Sequence, residues 1–86
     1  MAFVIVIQGY TGTYRTTIAN ALRNGYEMAG FDVVSIDDDC IDTINIDARV
    51  CVIYDEYENY SVSTLEAYKR VVTLLENGFE LIDVDC

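Results

Sequence analysis

The sequence predicts an α/β domain, a small open and mostly parallel sheet of about four strands with helices packed on it. Three observations carry that reading. The apolar patterns run strand, helix, strand, strand, helix, strand along the chain. Phe3-Val4-Ile5-Val6-Ile7 is an unbroken, largely β-branched run, the pattern of a strand buried on both faces. Each helical segment closes on a glycine just before the next strand begins. With no proline, no Gly/Ser-rich linker and no internal repeat in 86 residues, a single domain over 1–86 is expected.

The first strand runs almost directly into Gly9, which makes it a central strand feeding a loop. From Arg15 or Thr16 to about Ala29, the residues Ile18, Ala21, Leu22, Gly25 and Ala29 recur at helical spacing. Asn20, Arg23, Asn24 and Glu27 take the other side, and Gly30 stands as the stop. Phe31–Ile36 reads as a second strand ending in Asp37-Asp38-Asp39, and Arg49–Tyr54 as a third ending in Asp55-Glu56. The segment 40–48 between them is short for the crossover that a parallel pair normally needs. It is read either as a single helical turn or as the lead into an antiparallel strand. Ser63-Thr64-Leu65-Glu66 is a capping-box pattern opening a second helix, with Leu65, Tyr68, Val71, Val72 and Leu75 on one face and a stop at Asn77-Gly78. Tyr68, Val72 and Leu75 are expected to face the sheet. Phe79–Asp85 alternates as a final, half-exposed strand.

Fifteen acidic residues stand against five basic ones (Arg15, Arg23, Arg49, Lys69, Arg70), a net charge of −10. Direct binding of nucleic acid is disfavoured, because that affinity comes chiefly from Lys and Arg neutralising phosphates. No apolar run approaches the length of a membrane span, and Ala2–Ile7 is too short and lacks the basic flank of a signal peptide. A cytoplasmic protein without a membrane partner is expected. Cys40, Cys51 and Cys86 are odd in number, with no C-x-x-C and no His in the chain, so reduced thiols are expected rather than a disulfide framework or a zinc site.

The acids are unevenly placed. Eight lie between Asp37 and Glu58, where Arg49 is the only positive side chain. Such a field attracts a basic partner or a cation and repels polyanions. Tyr54, Tyr57 and Tyr60 interleave with Asp55, Glu56 and Glu58, a mixture suited to a basic protein surface, with rings as anchors and carboxylates for steering. In a parallel sheet the C-terminal strand ends share one edge, where ligands usually bind, so the loop after Gly9 and both acidic clusters are expected to meet there. Solvated loops and helix caps are the alternative reading of the same acids.

Residues Gly9-Tyr10-Thr11-Gly12-Thr13-Tyr14-Arg15-Thr16-Thr17 trace the outline of a Walker A loop, with Arg15 at the lysine position and Tyr14 at that of the preceding glycine. Together with Ile18-Ala19-Asn20-Ala21-Leu22, the strand ending in Asp37-Asp38-Asp39 and Cys51-Val52-Ile53-Tyr54-Asp55, the first half resembles the P-loop kinase family, in particular its adenylylsulfate kinase and polynucleotide kinase branches. The resemblance implies a reduced P-loop kinase-like fold. It implies phosphate binding by Gly9, Gly12, Arg15, Thr16 and Thr17, with Arg15 replacing the lysine. Thr16 would ligate Mg²⁺, Asp37 and Asp39 would face the acceptor, and Asp55 would support the metal, a set of Thr16, Asp37 and Asp55. Two departures bear on activity. Tyr14 places a side chain where the loop presents bare backbone to phosphate, and a planar guanidinium does not replace a compact ammonium. The family also carries an Arg-bearing lid and an adenine-binding segment that nothing in this sequence matches, and such charge stabilisation is most of phosphoryl-transfer catalysis.

The first expectation is therefore a catalytically degenerate interaction protein with no cofactor, binding a basic protein partner through Asp37, Asp38, Asp39, Tyr54, Asp55, Glu56, Tyr57, Glu58 and Tyr60. Its size and charge suit a phage-encoded inhibitor of a host or defence protein. The alternative is nucleotide or phosphate binding, or phosphotransfer, through Arg15 and Thr16 with Mg²⁺. A third reading is a subunit completed by a partner chain that supplies the lid.

Overall fold

The computed structural model describes residues 1–8, 15–38, 41, 43–55 and 63–85, with Arg15, Thr16 and Asp85 described by their backbone. The strands are β1 (Ala2–Gln8), β2 (Asp32–Ser35), β3 (Val50–Asp55) and β4 (Glu80–Asp85), and the helices are α1 (Arg15–Met28) and α2 (Thr64–Glu76). All strand pairs are parallel, in the spatial order β2-β3-β1-β4. The expected open α/β sheet with Phe3–Ile7 at its centre is present.

The order explains the layering. The chain passes from β1 over β3 to β2, and later from β3 over β1 to β4, so its two helical crossovers travel in opposite directions. Crossovers of one hand that travel in opposite directions place their helices on opposite faces of the sheet. The side chains sort accordingly, because neighbours along a strand point to opposite faces. Phe3, Ile5, Ile7, Cys51 and Ile53 pack with Ala19, Leu22 and Tyr26 on the α1 side. Val4, Val6, Val52 and Tyr54 pack with Ala67, Val71 and Leu74 on the α2 side. Burying a Val, Leu or Ile side chain stabilises by about 1.5–3 kcal/mol, so two filled faces give this short chain an adequate core.

The strands β2 and β3 pair in parallel, from Asp32↔Val50 to Ser35↔Ile53. Because β2 ends at Ser35, earlier than expected, the link of residues 36–49 reaches the dozen or so residues that a parallel crossover needs. Ile41 is buried and Ile44 half-buried against the α2-side core. Turn-like bonds hold them, Ile41 N–H donating to the Asp38 carbonyl (3.3 Å) and Ile44 N–H to that of Ile41 (3.5 Å). The antiparallel option for this segment is thereby removed.

Both helices stop as their glycines indicate. Gly30 and Gly78 have φ of 90° and 99°, and after each the next amide returns to the last turn, Phe31 N–H to Tyr26 O (2.9 Å) and Phe79 N–H to Leu74 O (3.0 Å). This is the left-handed C-terminal cap that glycine permits at little cost. At the N-terminal ends of the strands, Phe3, Tyr26 and Phe31 form a ring cluster with centroids 4.9–5.6 Å apart, and the Arg49 guanidinium lies 6.0 Å from the Phe31 centroid. Aromatic pairs of this kind add about 0.5–1.5 kcal/mol each beyond area burial, so this end of the sheet is anchored.

The phase of α2 differs from expectation. Its buried residues are Ala67, Val71 and Leu74, with Leu75 partly buried, while Val72 (51% exposed) points outward and Tyr68 (42%) lies at the margin with its ring 5.8 Å from that of Tyr54 on β3. The expectation that Val72 faces the sheet is corrected. A stripe at i, i+4 and i+7 whose first residue is alanine lets the helix sit close over β1.

Cys51 is fully buried between β1 and α1, and desolvation pushes its thiol up from 9.0 to about 11. The unfolded thiol ionises first as pH rises. The stabilising contribution is complete below pH 9 and is lost through pH 11, on the order of 2–3 kcal/mol at 1.36 kcal/mol per pKa unit. Denaturant melts at pH 8 and pH 10.5 should show the native chain losing more stability than Cys51→Ala does over the same interval. An aromatic disulfide reagent at pH 8 should label Cys51 only on unfolding.

Candidate functional site

Because every strand runs the same way, the ends of β1, β2, β3 and β4 share one edge, together with the N-termini of α1 and α2. Asp55 lies at the centre of that edge. It pairs in register with Ile7 on β1, two residues before Gly9, and the pleat places it on the α1 side with Cys51 and Ile53. It is the one buried acid among the described residues, 4% exposed. A carboxylate so removed from water is costly unless polar groups surround it.

Beside it, β2 continues its ladder through Ile36, whose N–H donates to Ile53 O (2.9 Å), and then turns. Asp37 N–H donates to Ser35 Oγ (3.2 Å) and Asp38 N–H to Ser35 O (3.0 Å), a turn closed by a serine hydroxyl and backbone. Asp37 is half-buried and Asp38 exposed. From α2, Arg70 reaches across and donates from Nη1 to Ile36 O (2.8 Å) and Asp38 O (3.2 Å), while its Nη2 lies 3.7 Å from the Glu66 carboxylate. The planar fork therefore ties the start of the acidic segment to the helix that follows β3. Sequence reasoning did not single out Arg70. Its signal was the Glu66/Arg70 pair at i,i+4, which by itself indicates only a helix surface pair.

The N-terminus of α2 carries the serine half of the capping box, Ser63 Oγ accepting from Glu66 N–H (3.2 Å). Asp37, Asp38 and Asp55 thus share the expected edge. Thr17 is exposed in the first turn of α1, which begins at that edge, and Arg15 and Thr16 are helical there in backbone. Gly9, Gly12, Asp39, Glu56, Tyr57, Glu58 and Tyr60 lie outside the described residues.

Tyr54 requires correction. Expected as a surface anchor, it is fully buried, because it shares the α2-side parity of Val52. Its ring packs 5.8 Å from that of Tyr68, which covers it from outside. Tyr54 is core, and Tyr68 is the ring that solvent meets. For the proposed metal set, no group of three or more carboxylate or thiol residues among the described residues is arranged to hold an ion. No helix of the described residues is long and apolar enough to cross a membrane. The chain matches no family model, no curated protein and no solved structure.

Proposed function

We propose that this chain is a small acidic interaction protein that recognises a basic protein partner through the C-terminal edge of its sheet. The observation that carries the reading is that half-buried Asp37 and exposed Asp38 stand at the strand-end edge, with the buried carboxylate of Asp55 beneath it adding to the field, on a chain with a net charge of −10. The acids and tyrosines Asp39, Glu56, Tyr57, Glu58 and Tyr60 follow closely in sequence from β2 and β3, and the proposal assigns them to this surface. A rigid parallel sheet beneath a dense negative field gives fast, steered association, and rings beside it give residence. Such a device suits a cytoplasmic inhibitor, of the kind a bacteriophage directs at a host or defence protein, with no cofactor.

The second reading, binding of phosphate or a nucleotide at a reduced P-loop, is favoured by one placement. Asp55 stands beside the β1 end that leads to Gly9, on the same face as α1. In the P-loop kinases that the sequence resembles, an acid at the end of the corresponding strand supports Mg²⁺, and α1 would offer its N-terminal amides to the anion. Tyr14, Arg15 and the surrounding carboxylates argue against tight binding. Titration calorimetry with ATP, GTP and adenylylsulfate in Mg²⁺ should give dissociation constants no tighter than about millimolar, around 4 kcal/mol of binding. Low-micromolar affinity would put the second reading first. Tyr14→Gly with Arg15→Lys should improve phosphate binding if the loop descends from a P-loop, and no gain would count against the resemblance.

A further inference from the structure

We propose that the free edge of β4 is a second docking site, one that takes an extended segment of a basic partner as a fifth strand. The surface is separate from the loop edge and does not depend on the function proposed above.

Among the described residues β4 pairs with β1 alone, so one side of its backbone offers amides and carbonyls with no strand beside them. At six residues the strand is long enough to template another, whereas the opposite edge, β2, has four residues and opens on exposed Asp32. The helices lie elsewhere, α1 over β1, β3 and β2, and α2 over β1. Leu81 (45% exposed) and Ile82 (37%) consequently remain in solvent on opposite faces of β4. Proteins usually blunt an edge of this kind by shortening, twisting, charging or covering it, and β4 uses charge alone, with Glu80, Asp83 and Asp85 turning away acidic strands but not basic ones.

The side chains define the occupant. Register with β1 puts Ile82 and Val84 on the α1 side, where Val84 already packs against the core. Leu81 and exposed Asp83 lie on the α2 side, and exposed Glu80 begins the strand on the α1 side, before the apolar stretch of Ile82 and Val84. A strand added here continues the α1-side core with one row of apolar side chains and meets Asp83 with the other row, which calls for Lys or Arg. Alternation of apolar and basic residues is therefore the recognised pattern, with backbone bonds supplying affinity and side chains specificity. A second copy of this chain is a poor occupant, since two strands each carrying Glu80, Asp83 and Asp85, on chains of charge −10, repel.

The probe is a blocked heptapeptide of alternating lysine and valine, added to the full chain and followed by amide hydrogen exchange. Alternate amides of β4 should slow at least tenfold at saturation. The same peptide N-methylated at every second residue should give no protection, and Asp83→Lys, at an exposed position, should weaken binding at least tenfold with an unchanged melting temperature. Equal effects from the methylated peptide would overturn the proposal, since charge alone would then explain binding. Protection confined to the Asp37 and Asp55 edge, or a chain that sediments as a dimer with β4 already protected, would overturn it too.

Discussion

Leu74→Ala should lower the unfolding free energy by about 2–5 kcal/mol, the usual range for removing a buried leucine and leaving a cavity. Leu74 is 2% exposed and lies in the α2-side core with Val4, Val52 and Tyr54. It also accepts the Phe79 amide that closes the helix, a bond of the backbone that the substitution leaves in place. Val72→Ala, two residues earlier and half exposed, should stay within about 0.5 kcal/mol, because little area is lost there. Urea titrations of the two variants check the helix phase directly. Equal losses, or a larger loss at Val72, would mean that a different face of α2 meets the sheet.

That phase was the part of the fold least legible in the sequence. α2 carries apolar residues at 65, 67, 68, 71, 72, 74 and 75, so the 3.6-residue period fits more than one stripe. A stripe led by Ala67 is easily passed over in favour of one led by larger side chains, although the small residue is what allows close approach to β1. The strands were easier. Runs such as Phe3–Ile7 and Val50–Ile53 have no polar face, so they belong inside a sheet covered on both sides, and the helices after β1 and β3 point to parallel connections there, while the β2–β3 pairing is left open. The same rule applies to Tyr54, as the continuation of a buried strand. The acids that follow it drew the residue toward the surface, and strand parity returned it to the core. Arg70 and the β4 edge were out of reach for another reason. Which carbonyls a guanidinium meets, and which strand is left without a helix above it, are properties of packing and not of periodicity.

The largest functional effect should come from the acidic edge, and its contrast with the loop variant tests the central claim most directly. A module that binds through Asp37–Asp39 and Glu56 needs neither Arg15 nor Thr16, whereas a nucleotide enzyme of the P-loop kind depends on both. Partner proteins captured from the native host supply the ligand, and surface-immobilised native chain and variants supply the rates. Reversing Asp38, Asp39 and Glu56 to Lys should slow association by at least tenfold and remove much of its salt dependence, as steering between complementary charges requires. Arg15→Ala with Thr16→Ala should leave partner affinity within about threefold, ~0.6 kcal/mol. Recognition through the acidic edge requires both results together. Loss of binding in the loop variant, with binding retained after reversal of the acids, would contradict it and place function at the phosphate loop.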